Sequence, residues 1–288
     1  MSIMPDFFVA GVPKGGTTSL YNDLRAHPEI CMSDPKETWY FFDHRKYQRD
    51  LEWYASTFFD ECREEQRVGE ATPGYMAHPE AASRIDESGI SAQFIFLLRD
   101  PAERAYSQFY FDIQRGVRDP SRSFSEVIRD PEEKTAHPDQ NYVGLLEVGK
   151  YIDHLKRYER HFGRAQLLPL LFCDYVDKQA YVLQQIFDFL SIKQMSVTPS
   201  GRRNSTEYPV NPTLFSGLKK TWVLLQEIAR PVAERLSPVR DRVRSFLLSS
   251  SQERPSMEEA DRAYLRDFYA DSNAALREYL DRDLSHWV

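Results

Sequence analysis

The amino-acid sequence predicts a three-layer α/β domain, with a central parallel sheet flanked by helices. Two observations carry this. Five short runs rich in apolar residues alternate with stretches of helical periodicity, the pattern of a parallel sheet covered on both faces. Residues with chemical reach, among them Lys14, Glu70 and Arg99, fall at or just after the ends of these runs. In open α/β sheets that is where ligands bind, beyond the carboxyl ends of the strands. A chain of 288 residues, 41% hydrophobic and 28% charged, has ample length for such a core and reads as one globular domain over residues 1–288.

Strands are expected at Asp6–Val12, Glu29–Ser33, Arg67–Ala71, Gln93–Leu98 and Gln166–Phe172. Helices are expected at Thr17–Ala26, Pro79–Ser88, Ala102–Arg115, Val148–Phe162, Lys178–Leu190 and Met257–Leu280. Pro101 stands where a helix would begin, its favoured position. Val117 to Asn141 is polar and reads as a surface excursion with a short helix around Phe124–Arg129. Further on, Leu214, Leu218, Trp222, Leu225 and Ile228 recur at near-helical spacing, with Pro231 and Pro238 as interruptions. This part is locally basic and reads as a helical insertion at about 211–255 packed over the sheet, the alternative being an acceptor-side lid or a membrane-surface contact.

The formal net charge of −7 argues against a large general affinity for nucleic acid or polyanionic glycans, although a local basic cleft is compatible with it. Cys31, Cys62 and Cys173 are scattered, have no metal-like spacing, and suit a reducing compartment without a disulfide framework. No apolar stretch is long enough to span a bilayer, and only Met1 to Pro5 precede the first strand, so a cytoplasmic location is expected.

Three motifs carry chemistry. The first is the stretch from Phe7 to Leu20, where an apolar run ends in Lys14-Gly15-Gly16-Thr17-Thr18-Ser19 and passes into a helical pattern. Backbone N–H groups at a helix N-terminus, two glycines and a lysine make a seat for a phosphate or sulfate. A Walker A loop would place its lysine after the last glycine, whereas Lys14 comes before both. The bland alternative is a tight turn with an exposed lysine. The loop resembles the 5′-phosphosulfate-binding loop of sulfotransferases that use 3′-phosphoadenosine 5′-phosphosulfate (PAPS). The resemblance is to the heparan-sulfate-type branch of N-deacetylase/N-sulfotransferases and 3-O-sulfotransferases, and it implies a P-loop-like fold.

The second motif is the run Phe94 to Pro101 followed by Arg104-Ala105-Tyr106-Ser107. A strand delivers Arg99 to its carboxyl end, and the following helix turns Ser107 towards the same rim, good chemistry for a terminal phosphate. It is similar to the family's 3′-phosphate-binding segment; the alternative is a strand-end ion pair of Arg99 with Asp100 or Glu103. The third motif, Gly69-Glu70-Ala71-Thr72-Pro73-Gly74-Tyr75, puts a carboxylate at a strand end. It resembles the branch's segment in which the glutamate is the catalytic base, with Ala71 where a lysine is usual; loss of that lysine should weaken attraction for an anionic acceptor. The alternative for Glu70 is a structural carboxylate. His78 is a weaker candidate base, read as a surface residue.

The resemblance extends to Lys36-Glu37-Thr38-Trp39-Tyr40-Phe41-Phe42, a cleft-lining segment, to the basic loop Gly201-Arg202-Arg203-Asn204-Ser205-Thr206, and to Arg282 through Trp287 near the end. It implies sulfuryl transfer from PAPS, with adenosine 3′,5′-bisphosphate (PAP) as product, to a hydroxyl or amine of a glycan or small molecule. Glu70 and Lys14 would be catalytic; Lys14, Gly15, Gly16, Thr17, Thr18, Ser19, Arg99, Ser107, Arg202 and Arg203 would bind the donor, without a metal. Trp39, Tyr40, Phe41, Phe42 and Tyr75 could stack on an acceptor or belong to the core. The rivals are a P-loop-type nucleotide or small-molecule kinase and a non-catalytic nucleotide-binding regulator.

Overall fold

A computed structural model describes residues 3–64, 66–137, 142–195 and 255–287. Arg202, Arg203 and the 211–255 segment, Pro255 excepted, lie outside the described residues. In chain order the strands are β1 (Phe7–Gly11), β2 (Ile30–Met32), β3 (Arg67–Glu70), β4 (Gln93–Leu98), β5 (Ala136–His137), β6 (Tyr142–Val143) and β7 (Leu167–Leu171). Strands β5 and β6 pair antiparallel at the end of the polar excursion. The other five form one sheet in the order β2-β3-β1-β4-β7, and every pairing in it is parallel. All five fall inside the expected spans.

This order determines where a site can form. From β1 the chain runs out to the edge strand β2 and returns as β3 beside β1. It then crosses to the other side of β1 as β4. The carboxyl ends of β3, β1 and β4 are therefore neighbours at the point where the winding reverses, the place at which such sheets hold ligands.

The helices are α1 (Thr17–Arg25), α2 (His44–Tyr47), α3 (Leu51–Phe58), α4 (Ala81–Glu87), α5 (Pro101–Arg115), α6 (Phe124–Arg129), α7 (Tyr151–Phe162), α8 (Phe172–Asp177), α9 (Gln179–Phe189) and α10 (Glu259–Leu280). Along β1 the side chains alternate between faces. Phe8 and Ala10 join an aromatic-rich cluster with Tyr54, Tyr75, Phe94, Phe96 and Tyr158, while Phe7 and Val9 pack with Leu20, Leu24, Ile95, Leu97 and Ile186. A third cluster joins α5, α6 and α10. Helix α5 starts at Pro101 with Asp100 as its cap, accepting from the N–H groups of Ala102 and Glu103 at 2.8 and 3.1 Å, and stops at Gly116, whose φ of 69° suits glycine.

Three helices were not anticipated, α2, α3 and α8, and neither was the β5–β6 pair. Helix α3 is capped by Asp50, which accepts from Trp53 N at 2.7 Å, and it buries Tyr54, Ala55 and Phe58 at i, i+1 and i+4. The expectation of three reduced thiols is corrected. Cys31 on β2 and Cys62 beyond α3 form a disulfide with a Cα–Cα distance of 5.5 Å, and Cys173 alone is free. Scattered spacing misled because the partners meet only through folding of the intervening α2 and α3. The bridge spans 31 residues. Loop-closure entropy for that length gives about 3–4 kcal/mol of stabilisation. Cys31→Ser/Cys62→Ser should therefore melt well below the parent, and a dithiol should lower the parent's melting temperature but not the variant's.

Candidate functional site

The loop after β1 is shaped by close approach. Gly15 N donates to Val12 O at 2.9 Å, and a Cβ on Gly15 would stand 2.4 Å from the Leu97 carbonyl of β4. Gly16 starts α1 with φ 91°, and among the described residues no side chain caps that helix. A helix N-terminus without a side-chain cap, fronted by two glycines, is a cradle that an anionic oxygen can enter. Thr17 is buried, Ser19 half-buried and Thr18 exposed.

Lys14 has φ 65°, and its Nζ lies 3.8 Å from the centre of the Phe111 ring on α5. Burial, reinforced by the Arg99 guanidinium, pulls its pKa down to about 8. Arg99, at the end of β4, donates from Nη1 to the Lys14 carbonyl at 3.2 Å. It also faces Glu103 at 3.6 Å and covers the Phe172 ring at 5.4 Å. The ion pair expected as the bland alternative is therefore real, with Glu103 as partner, while Asp100 caps α5. Ser107 is buried on α5 one turn before Phe111, hence on the same face of the helix. The anion loop, Arg99 and the α5 face that carries Ser107 are thus brought together. Glu37 also acts electrostatically on Lys14, so the Lys36–Phe42 segment reaches the same place.

Glu70 ends β3 and is wholly enclosed. Thr38 Oγ1 and Thr72 Oγ1 each donate to Oε1 at 2.6 Å, and the Tyr54 hydroxyl donates to Oε2 through a short bond. Thr38 Oγ1 also meets the Tyr75 hydroxyl at 3.1 Å, which in turn accepts from Phe41 N. Burial pushes the Glu70 carboxyl up, while the four hydroxyls pull it back. Among the described residues no ion pair joins Glu70 to Lys14.

Two readings from the sequence are corrected. Ala71 is fully buried and packs on the opposite face of the sheet, with Phe7, Val9 and Leu20, so it is part of the core and not of an open acceptor wall. His78 is also fully buried, its Nδ1 accepts from Glu80 N, and its Nε2 has no hydrogen-bond partner among the described residues. Burial, with Arg84, Arg157 and His44 nearby, lowers its pKa to about 4. Of the five aromatics, Tyr40, Phe41 and Tyr75 are core, whereas Trp39 and Phe42 remain half-buried. Trp39 is held at φ 58°, and its ring stands where a Cβ on Gly74 would be at 2.7 Å. A bulky residue in the left-handed region is strained and is held there by its surroundings. Near the end of the chain, Trp287 packs edge-on against Tyr151, a structural role.

Tyr54 was missed, although the Asp50 cap and the apolar spacing from Leu51 to Phe58 are readable signals for its helix. Thr38 lay inside a quoted segment without a role.

Comparison with known proteins bears on the family and the fold. Residues 4–224 match the family model of the sulfotransferase domain. Heparan sulfate glucosamine 3-O-sulfotransferase 3A1 of Mus musculus is 30% identical over 192 residues, 67% of this chain and 47% of that protein. Bifunctional heparan sulfate N-deacetylase/N-sulfotransferase 4 of Mus musculus is 28% identical over 97% of this chain and 30% of its own length. The chain thus spans less than half the length of these curated relatives. The crystal structure of a sulfotransferase from Alicyclobacillus acidocaldarius superposes with a TM-score of 0.70 at 25% identity, over 99% of both chains. With a loop that lacks the Walker order at the end of β1, and with this match over most of its length, the chain belongs to the sulfotransferase domain family and is related to its heparan sulfate branch.

Proposed function

We propose that the chain moves a sulfuryl group from PAPS to a hydroxyl or amine of a carbohydrate or small-molecule acceptor, with Glu70 as general base and no metal. The observation that carries this is the adjacency of Lys14, Glu70 and Arg99 at the carboxyl ends of three neighbouring strands. The donor fits the residues present: the Gly15–Gly16 cradle would fill with any Cβ, and among the described residues α1 has no side-chain cap. When bound, PAPS supplies the sulfuryl group and PAP as leaving group.

The transfer has a loose transition state, so positioning and electrostatics do most of the catalysis. The cradle from Gly15 to Ser19 would hold the 5′-phosphate and sulfuryl oxygens. Lys14 would neutralise charge on the bridging oxygen as its bond to sulfur breaks. Arg99 and Ser107, with Arg202 and Arg203, would hold the 3′-phosphate. Glu70 would take the proton from the acceptor as the new bond to sulfur forms. Trp39 and Phe42, the half-buried aromatics beside Thr38, suit the apolar face of a sugar ring or another flat acceptor.

Zero exposure of Glu70 favours a second reading, in which its carboxylate only anchors the Thr38–Phe41 wall. The kinase alternative is set aside by family membership. The reduced-thiol support for a cytoplasmic location falls with the Cys31–Cys62 bridge; among the described residues no helix is long and apolar enough to cross a membrane.

Calorimetry tests the donor assignment. PAP should bind much more tightly than AMP, because each charge-assisted contact contributes about 1.5–3 kcal/mol. Arg99→Ala should weaken PAP binding by roughly tenfold or more and leave AMP binding less affected. Equal affinity of the parent for PAP and AMP would sink the assignment.

A further inference from the structure

The carboxylate of Glu70 is held by hydroxyls from three separate stretches of chain. Oε1 accepts from both Thr38 and Thr72 at 2.6 Å, so its two lone pairs are engaged. Oε2 accepts from Tyr54, while the Tyr75 hydroxyl, bonded to Thr38 Oγ1, also acts on the carboxylate. The oxygen with capacity to spare is therefore the one on which Tyr54 acts. We propose that Tyr54 is a positioning residue for proton transfer at Glu70: its hydroxyl orients Oε2 as the accepting atom and keeps the carboxylate ionised within an enclosed site. This rests on the reading of Glu70 as general base.

Tyr54 is built for a fixed orientation. It is fully buried, its ring stacks on Tyr40 at 4.3 Å, and Phe41 and Phe59 meet it edge-on at 5.5 and 5.3 Å. A phenol is a better donor than the aliphatic hydroxyls of Thr38 and Thr72, because it is more acidic. Burial and the neighbouring carboxylate push the Tyr54 hydroxyl well above its usual range, so it stays a donor and never becomes a competing anion. The groups facing Glu70 are Thr38 from the wall, Tyr54 from α3, Thr72 and Tyr75 from the turn after β3, and Tyr158 from α7. All five are hydroxyls. The ionisation of Glu70 is thus governed by how many of them donate and how well. In the step itself the acceptor O–H or N–H bond breaks, the proton goes to Oε2, and the freed electron pair forms the bond to sulfur, while the bond from sulfur to the bridging oxygen breaks and PAP leaves with that electron pair.

Tyr54→Phe deletes one oxygen atom and keeps the ring. The readout is the pH profile of sulfuryl transfer from PAPS to water, followed as PAP release. The base must be ionised, so the rate falls as pH drops through its pKa. With Oε2 stripped of its donor that pKa rises, and the acid limb should move to higher pH by about one to two units. At high pH the rate should recover towards the parent. A lower rate with an unmoved limb, or an unchanged profile, overturns the proposal, since a merely structural Tyr54 would not move the limb. If Tyr54→Phe does not fold, a fluorinated tyrosine incorporated at position 54 keeps the shape and strengthens donation. Its limb should move to lower pH, and an unmoved limb overturns the proposal. Glu70→Gln separates the two readings. A limb that vanishes in Glu70→Gln but does not move in Tyr54→Phe sinks the role of Tyr54 alone. A limb that persists in Glu70→Gln belongs to another group and sinks both.

Discussion

Glu70→Gln should lower turnover by about 10²–10⁴-fold, the usual contribution of a general base. Donor affinity and melting temperature should stay close to the parent. The reason lies in the hydroxyl cluster. Glutamine keeps an oxygen that can accept from Thr38 and Thr72, and its amide can donate to Tyr54, whose hydroxyl accepts as readily as it donates. The shape of the site survives, and the capacity to take a proton is lost. If Glu70 serves only as an anchor, the opposite pattern follows. The buried cluster would lose stability, PAP binding would weaken with it, and turnover per folded molecule would change modestly. Melting temperature, PAP affinity and PAPS turnover measured on one variant decide between them.

Lys14→Met should cost about 10²–10³-fold in turnover, the range found when one preorganised donor to a developing charge is removed. Methionine keeps most of the side chain's length, and its thioether can pack on the Phe111 ring in place of the ammonium, so the loop should hold. The parent should show an alkaline limb with the following sign. In the proposed role Lys14 acts as a cation, and burial lowers its pKa from 10.5 to about 8. Below about 8 it is charged and active; as pH rises through that value it becomes neutral, and kcat/KM falls. Bound anions raise the pKa again, so the limb should be sharper in kcat/KM, which reports the free enzyme, than in kcat. Lys14→Arg, always charged, should lose this limb even where its rate is lower. Retention of the alkaline limb in Lys14→Arg would assign it to another group. The same assays in chelator should proceed at the parent rate; loss restored by magnesium would contradict the role given to Lys14.

Much of the fold was legible because its signals are local. The strand runs are short and apolar, and Gly, Pro and Asp mark their ends. Lys14-Gly15-Gly16, Glu70 and Arg99-Asp100-Pro101 could be located at strand ends on that basis alone. Helix α3 escaped because it is only eight residues long, although its Asp50 cap and the apolar spacing that follows are legible signals. The Cys31–Cys62 pair escaped because sequence spacing says nothing about two residues brought together by a strand edge and a returning loop. Ala71 was misjudged for a geometric reason: neighbours on a strand point to opposite faces, so a residue next to Glu70 is the one least able to share its side of the sheet.

The sequence by itself determined the α/β class, the five sheet strands, and a Lys-Gly-Gly loop after the first strand that lacks the Walker order. These follow from periodicity and from the conformational demands of glycine and proline, which act over a few residues. The order β2-β3-β1-β4-β7, the burial that sets Trp39 apart from Tyr40 and Phe41, and the meeting of Thr38, Tyr54 and Thr72 on one carboxylate were decided only by the tertiary structure. Those depend on which surfaces pack together. Packing is a contest among segments distant in the chain, settled by burying the most apolar area while leaving no enclosed polar group without a partner.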